Sequence, residues 1–332
     1  MNKKAVALLS GGLDSMLAIR LMLEQGIEIH AMYFYFVFSH GNRDEAEKNI
    51  KKFTDPLKIP VEISDGTQEL LSMVKSPQYA IGKNMNPCID CRIFTLIKAG
   101  EFMNKIGAGF IVTGEVLGER PLSQRLDALK LIDRESGLEG LIVRPLSAKL
   151  LEPTRPEKEG ILDRERLMSI SGRRRVEQLS LARKFGIEEY QTPAGGCLLT
   201  DKGFSARLRD FLKHDIDSDM NNLRLLRIGR HFRVSDRLKL IVGRDEKENN
   251  MLLSMANPGD YIFDILDIPG AVGLARGRVT EDDIGIMASI LARYSDSDGD
   301  SVIVSYKALP SENWEKLPSM PAGNGLLESI RI

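Results

Sequence analysis

Cysteine and histidine are scarce in this chain: three cysteines and four histidines among 332 residues. So few thiols, odd in number, exclude a secreted fold built on disulfides and leave the sulfur atoms available for chemistry. Excess charge is missing as well. The 46 Lys and Arg stand against 47 Asp and Glu, a net charge of -1, so contact with nucleic acid has to come from local patches. Long apolar runs are absent. The stretch Ala5–Leu9 near the N-terminus is far too short for a secretion signal or a membrane span. Neither G-x-x-x-x-G-K-[ST] nor G-x-G-x-x-G occurs, which removes kinase-type NTPase and dinucleotide readings. What is present, 42% hydrophobic and 28% charged residues, suffices to bury a core. The length suggests about two domains of roughly 150 residues. The expectation is a soluble, cytoplasmic protein without a membrane partner.

The first two-fifths alternates short apolar runs with helical patterns, as a parallel sheet requires. Lys4–Leu9, Glu28–Val37, Val61–Ser64 and Phe110–Gly114 read as strands, and Asp14–Gln25, Arg43–Phe53 and Ile89–Ile106 as helices. This order implies a doubly wound, right-handed α/β sheet. Between Arg155 and Lys184 nine Lys/Arg face five Asp/Glu. After the loop Gln191–Leu199 the pattern changes to helices at Gly203–His214 and Asp217–Ile228, then strands at His231–Val234 and Leu238–Val242. A boundary near Thr200 therefore separates domain 1–200 from a smaller α+β domain, 201–332.

Ser10-Gly11-Gly12-Leu13-Asp14-Ser15 lies between the first strand and the first helix. Two glycines permit a tight turn and close approach of a ligand. The following helix offers free N–H groups and the positive end of its dipole to an anion. Ser10 and Ser15 add hydroxyls. Asp14 would repel phosphate unless a cation lies between, which makes it a Mg²⁺ ligand. An ordinary capped glycine turn is the plainer alternative.

Two cysteines, Cys88 and Cys91, open a helix in Asn86-Pro87-Cys88-Ile89-Asp90-Cys91. A helix N-terminus favours thiolate, the form that binds metal or attacks sulfur. Cys197 sits in Pro193-Ala194-Gly195-Gly196-Cys197-Leu198. The histidines, His30, His40, His214 and His231, offer no zinc-type spacing to these thiols. Three thiolates suit a [4Fe-4S] cluster with one iron left open. A redox pair carrying a persulfide, and three merely buried small residues, are the alternatives.

With these residues in view, the chain resembles the PP-loop ATP pyrophosphatase superfamily, whose adenine nucleotide alpha hydrolase-like fold carries the signature S-G-G-x-D-S. The resemblance implies that Ser10, Gly11, Gly12, Asp14 and Ser15 grip the pyrophosphate of ATP and that the strand near Tyr33 flanks the adenosine. The Asn-Pro-Cys-x-x-Cys segment is similar to that of tRNA 2-thiouridylases. Thr113-Gly114-Glu115-Val116-Leu117-Gly118, continuing to Ser123-Gln124, and Arg144-Pro145-Leu146 resemble segments of tRNA 4-thiouridine synthetases. Carried over, Gly114 and Glu115 line the nucleotide and uridine pocket, and Cys88, Cys91 and Cys197 match the iron–sulfur subset of the thiolating enzymes. The zinc-ribbon cysteines of some thiolases are absent, and no RNA-binding extension is expected before the first strand. Residues 229–275, with Gly229-Arg230-His231-Phe232-Arg233, Val242-Gly243-Arg244-Asp245, Asn249 and Asp267-Ile268-Pro269-Gly270-Ala271, resemble the RNA-binding domain of NFACT proteins.

Together these readings imply an ATP-dependent tRNA sulfurtransferase that adenylates a uridine carbonyl and replaces its oxygen with sulfur, favouring 4-thiouridine. Its partners would be tRNA, ATP with Mg²⁺, and a sulfur donor, either inorganic sulfide or a cysteine desulfurase; a homodimer is allowed. A persulfide-using 2-thiouridylase, an amidating or ligating enzyme acting on a small carboxylate, and a non-enzymatic RNA-binding regulator are the rivals. The ligating enzyme has no need of the three cysteines.

Overall fold

The alternating apolar runs of the first 200 residues form five parallel strands in the computed structural model, which describes residues 2–190, 197–214, 219–266, 268–295 and 301–332. The chain divides into two compact units, Met1–Asp201 and Lys202–Ile332.

In the first unit, β1 (Lys4–Leu8), β2 (Glu28–Tyr35), β3 (Val61–Asp65), β4 (Phe110–Thr113) and β5 (Ile142–Val143) lie in the order β3-β2-β1-β4-β5. All pairs are parallel. The helices are α1 (Leu13–Glu24), α2 (Arg43–Thr54), α3 (Thr67–Lys75), α4 (Cys88–Lys105), α5 (Leu126–Glu135), the single turn α6 (Arg155–Lys158) and α7 (Val176–Phe185). One face of the sheet packs Leu17, Ile19 and Met22 of α1 with residues of α2 and α7. The other packs Ile93, Leu96 and Met103 of α4 with Ile132 of α5. Each such buried aliphatic side chain contributes about 1.5–3 kcal/mol. The second strand is two residues shorter than its apolar run suggests, because the chain turns back where Ser39 N–H donates to the Phe36 carbonyl at 2.9 Å.

The strand order reverses direction between β1 and β4. That makes the crevice above their carboxyl ends the topological switch point, where ligands of open α/β sheets bind. Helix ends are set by local chemistry. Asn42 caps α2 in a reciprocal box with Glu45, and Gly186, at φ +64°, ends α7 in the left-handed region.

The second unit contains α8 (Lys202–His214), α9 (Met220–Leu225), β6 (Arg230–Ser235), β7 (Leu238–Val242), α10 (Glu246–Ser254), β8 (Tyr261–Ile265), β9 (Gly273–Gly277), α11 (Glu281–Ala292), β10 (Val302–Ala308), β11 (Glu315–Ser319) and α12 (Asn324–Ile330). Six strands form an antiparallel sheet in the order β11-β10-β8-β9-β7-β6. One core joins Phe232, Leu240 and Phe263 to Met287 and Leu291 of α11. The opposite face buries Ile241, Ile262 and Leu274 against Leu225 and Leu252. The helical pattern Asp217–Ile228 is realised over Met220–Leu225; residues 215–218 lie outside the described ones.

Candidate functional site

The loop after β1 is closed by its own serines. Ser15 Oγ donates to the Gly12 carbonyl at 2.7 Å and accepts from Ser10 N–H at 3.2 Å, and the two hydroxyl oxygens lie 3.2 Å apart. Gly11 adopts φ +79°, a conformation only glycine takes without strain. The amides of the first turn of α1 have no intrahelical partner, which leaves them for an anion. Gly114, just after β4, presses onto this junction: a Cβ there would stand 2.4 Å from Ser15 N and 2.5 Å from the Asp14 carbonyl carbon.

Asp14 is not solitary. Arg175, the residue that caps α7, donates from Nη2 to Asp14 Oδ2 at 2.9 Å, and its Nε stands 3.8 Å from Glu119 Oε1. Asp14 Oδ1 is buried without a hydrogen-bond partner among the described residues. Burial and the neighbouring Asp14 push the Glu119 carboxyl up. Arg175 thus lies between two carboxylates, and Arg120 also acts on Glu119. An orphaned, buried carboxylate oxygen fits a divalent ion such as Mg²⁺.

Glu115 is 1% exposed. Its Oε2 accepts from Arg144 Nε at 2.9 Å and from Thr113 Oγ1 at 3.2 Å, while Oε1 lies 3.2 Å from Arg92 Nε. Arg144 in turn grips Asp133 of α5 through both terminal nitrogens, at 2.9 and 2.6 Å. Burial alone would raise the Glu115 carboxyl, but Arg92 and Arg144 hold it below the ordinary value. Glu115 therefore ties β4, α4, α5 and β5 together from inside. Tyr33 is also internal: it is part of the first core, and burial drives its phenol up to about 12.

The thiols are gathered by backbone straps. Leu198 N–H donates to the Phe38 carbonyl at 2.8 Å, Met85 N–H to the Leu199 carbonyl at 3.1 Å, and Asn84 Nδ2 to the Thr200 carbonyl at 2.7 Å. These hold Cys197 beside the start of α4, where Cys88 is the first residue and Cys91 the fourth. Of the Pro193–Leu199 loop, residues 193–196 lie outside the described ones. The charge of one thiol is felt by the others: Cys91 by Cys197 and Cys88, and Cys197 by Cys88. Their acidity runs opposite to what a helix N-terminus alone dictates, since desolvation outweighs the dipole. Burial pushes Cys88 up, Cys91 up to about 12 and Cys197 up to about 11. Arg120, exposed on the loop after β4, is the nearby cation that acts on all three. Among the described residues no three His, Cys, Asp or Glu side chains are grouped as a metal site.

A cavity of about 790 Å³ opens on the α1–α2–α7 face, between Arg20, Phe53, Phe185 and Tyr190. It reaches the loop only at Gly11; Gly114, Glu115, Tyr33 and the thiols do not line it.

In the second unit the arginines singled out from the sequence are paired within the chain, Arg230 and Arg233 part-buried and Arg244 exposed. Arg233 chelates Asp210 at 3.0 and 2.6 Å, Arg244 pairs with Glu248, and Arg230 donates to the Gly243 carbonyl at 3.0 Å while lying 4.6 Å over the Tyr294 ring. Asn249 accepts from Val272 N–H at 3.1 Å and donates to the Gly270 carbonyl at 3.2 Å. A Cβ on Gly243 would stand 2.1 Å from Asn249 Oδ1. These motif residues hold the sheet and α10 together. Sequence reasoning missed Arg276, which joins Asp260 at 2.6 Å to Asn221 and Asn222 at 2.8 and 2.6 Å. It also missed Arg92 and Glu119. The run Arg173–Arg175 was marked as offering at least one cation to solvent or phosphate, without the pairing of Arg175 to Asp14.

A parallel sheet with an S-G-G-x-D-S loop at its switch point, joined to a separate antiparallel sheet domain, defines a PP-loop α/β protein with an appended module. Residues 1–149 match the thiamine biosynthesis protein (ThiI) family and residues 229–326 the NFACT protein RNA binding domain. Both matches support a likeness of residues 1–149 to the tRNA-thiolation branch of the PP-loop superfamily and of residues 229–326 to NFACT-type domains. It is 32% identical over 123 residues to the tRNA-specific 2-thiouridylase MnmA of Sulfurimonas denitrificans, covering 35% of this chain and 36% of the relative. It is 29% identical over 152 residues to a protein of Thermococcus kodakarensis named "Probable tRNA sulfurtransferase", covering 43% and 36%. The aligned part is thus little more than a third of either relative. A 4-thiouridine synthetase–RNA complex with bound ATP aligns at 20% identity and TM-score 0.37, over 55% of this chain and 51% of that one. Among the described residues no helix is long and apolar enough to cross a membrane.

Proposed function

We propose that the protein is an ATP-dependent tRNA sulfurtransferase that makes 4-thiouridine, with unit 1–200 performing the chemistry and unit 201–332 contacting RNA. The observation that carries this reading is one loop with two flanks. Arg175 links Asp14 of the nucleotide loop, at 2.9 Å, to Glu119, at 3.8 Å, and the next residue, Arg120, is the cation near all three thiols. Phosphate chemistry and sulfur chemistry are therefore neighbours across two residues. The match to the ThiI family over the segment that includes Thr113–Gly118 favours the 4-position of uridine.

The loop amides and the α1 dipole bind the polyphosphate, and Asp14 Oδ1 would hold its Mg²⁺. The uridine oxygen attacks the α-phosphorus, pyrophosphate leaves, and a ring carbon that held a poor leaving group now holds AMP. A sulfur nucleophile then adds to that carbon and AMP departs. Catalysis at this stage is positioning and neutralisation of charge.

Cys88, Cys91 and Cys197 suit an iron–sulfur cluster by their chemistry: buried thiols that stay protonated alone become thiolates beside cationic iron. A [4Fe-4S] cluster held by the three would leave one iron without a protein ligand, free to carry the sulfur. The same raised thiols disfavour a persulfide exchange, which needs a thiolate attacker. Inorganic sulfide or a cysteine desulfurase supplies the sulfur, and a tRNA substrate implies a cytoplasmic setting. Mass spectrometry of tRNA nucleosides from a deletion strain tests the reading. Loss of 4-thiouridine is expected; an unchanged nucleoside profile would overturn it.

A further inference from the structure

Buried side-chain atoms without a hydrogen-bond partner are few in a folded protein, and each asks for an explanation. Among the described residues six are found, and four of them belong to Asp14, Arg175 and Gln178. Gln178 lies one turn along α7 from Arg175, is fully buried, and pairs neither its amide oxygen nor its nitrogen. Arg175 uses Nη2 on Asp14 and leaves Nε without a hydrogen bond, 3.8 Å from Glu119; Asp14 leaves Oδ1 without one. A buried polar group left so costs about 1–3 kcal/mol. The junction of α1 and α7 is thus unsatisfied as it stands.

Arg175 is built into this place. The fully buried Ser147 hydroxyl donates to the Ile170 carbonyl at 2.7 Å and accepts from Leu117 N–H at 2.9 Å. Gly172 N–H donates to the Leu117 carbonyl at 2.7 Å, and a Cβ on Gly118 would stand 3.6 Å from Gly172 N. The segment before α7 is therefore fastened to the loop after β4, and its third arginine arrives at the nucleotide loop while Arg173 and Arg174 face solvent.

The charges explain why. Arg175 is held on Asp14 at 2.9 Å and lies 3.8 Å from Glu119, so its positive charge is already engaged where a polyphosphate is to bind. We propose that Arg175 is a phosphate-binding residue stored on Asp14: an incoming divalent cation takes Asp14, and Arg175 passes to the β- and γ-phosphates of the nucleotide. The inference rests on the ATP-binding reading above and on no part of the thiolation chemistry.

Two measurements on the full-length protein test it. The first is calorimetric binding of the α,β-methylene analogue of ATP with saturating Mg²⁺, with AMP as a reference lacking the distal phosphates. Arg175→Ala should weaken the analogue at least tenfold and change AMP affinity less than twofold; Arg175→Lys should recover most of the loss, and Arg174→Ala should match wild type. The second is Mn²⁺ binding without nucleotide, read by electron paramagnetic resonance. Arg175→Ala should bind Mn²⁺ more tightly, because the competitor for Asp14 is gone. A residue that merely supports the fold would loosen both ligands together. Should Arg175→Ala fail to fold, Arg175→Gln keeps the stem and gives the same two readings. Unchanged analogue affinity in a folded variant, or weaker Mn²⁺ binding, overturns the proposal. A wild-type protein that binds no analogue overturns the ATP reading itself, and this inference with it.

Discussion

Gly114 illustrates how little room single residues have at the switch point. With Ser15 N at 2.4 Å from where its Cβ would be, Gly114→Ala must displace the backbone of the nucleotide loop. The expected outcome is loss of ATP binding at least tenfold, measured by calorimetry, in a protein whose second unit melts unchanged. Arg144 is the complementary case. Removing it leaves Glu115 and Asp133 without their shared cation, and breaking a buried pair costs roughly 3–5 kcal/mol. Chemical denaturation of Arg144→Ala should show a loss of that size, and nucleotide affinity should fall only as the folded fraction does. The hexapeptide Ser10–Ser15 was legible in the sequence because its signal is local. Arg175, 161 residues from Asp14 in the chain, was not, since only the fold brings them within 2.9 Å. Glu115 belongs to a legible motif, but its place inside an ion-pair network depends on Arg92 and Arg144, which no spacing rule connects.

At the level of elements, the start of α4 and the strap at 197–200 decide whether the thiols act together. Asn84 Nδ2 holds the Thr200 carbonyl, so Asn84→Asp replaces a donor with a repelling oxygen while keeping a residue tolerant of φ +61°. After anaerobic reconstitution this variant should bind markedly less iron than wild type, with a melting temperature shifted by only a few degrees. Full iron content would show that Cys197 needs no such tether. Long periodic elements were readable: α1, α2 and α4 begin and end within one residue of their apolar patterns. The strands β8–β11 were not, because edge and half-buried antiparallel strands such as Glu315–Ser319 have no continuous apolar run. The acidity of the thiols was misjudged for a related reason. A helix N-terminus is visible in sequence, whereas the desolvation that overrides it is tertiary.

For the molecule as a whole, the second unit carries a buried pH liability. His231 is buried, and its Nε2 donates to the Ile228 carbonyl at 2.7 Å. Burial, then Lys239 and Arg207, hold its pKa well below the ordinary 6.5. The unfolded chain takes up a proton there that the folded chain refuses, so stability is complete above about pH 6.5 and falls as pH drops below it. The slope approaches ~1.4 kcal/mol per pH unit. Denaturation at pH 7.5 and 5.5 should show this loss in wild type and a smaller one in His231→Gln. Arg230 and Arg233 are part-buried and bonded within the fold, so Arg233→Ala should measurably lower stability while leaving the salt dependence of tRNA binding nearly unchanged. In the first unit, α1 and α4 cover opposite faces of one sheet; α1 starts just past the carboxyl end of β1, and the start of α4 is strapped through Leu198 and Leu199 to Phe38, just past the carboxyl end of the neighbouring β2. A pyrimidine ring that must touch both sides of that rim cannot do so while stacked in a duplex. Catalysis of the proposed kind therefore demands an unpaired or everted nucleotide, and the cost of unstacking it becomes part of how a target is chosen.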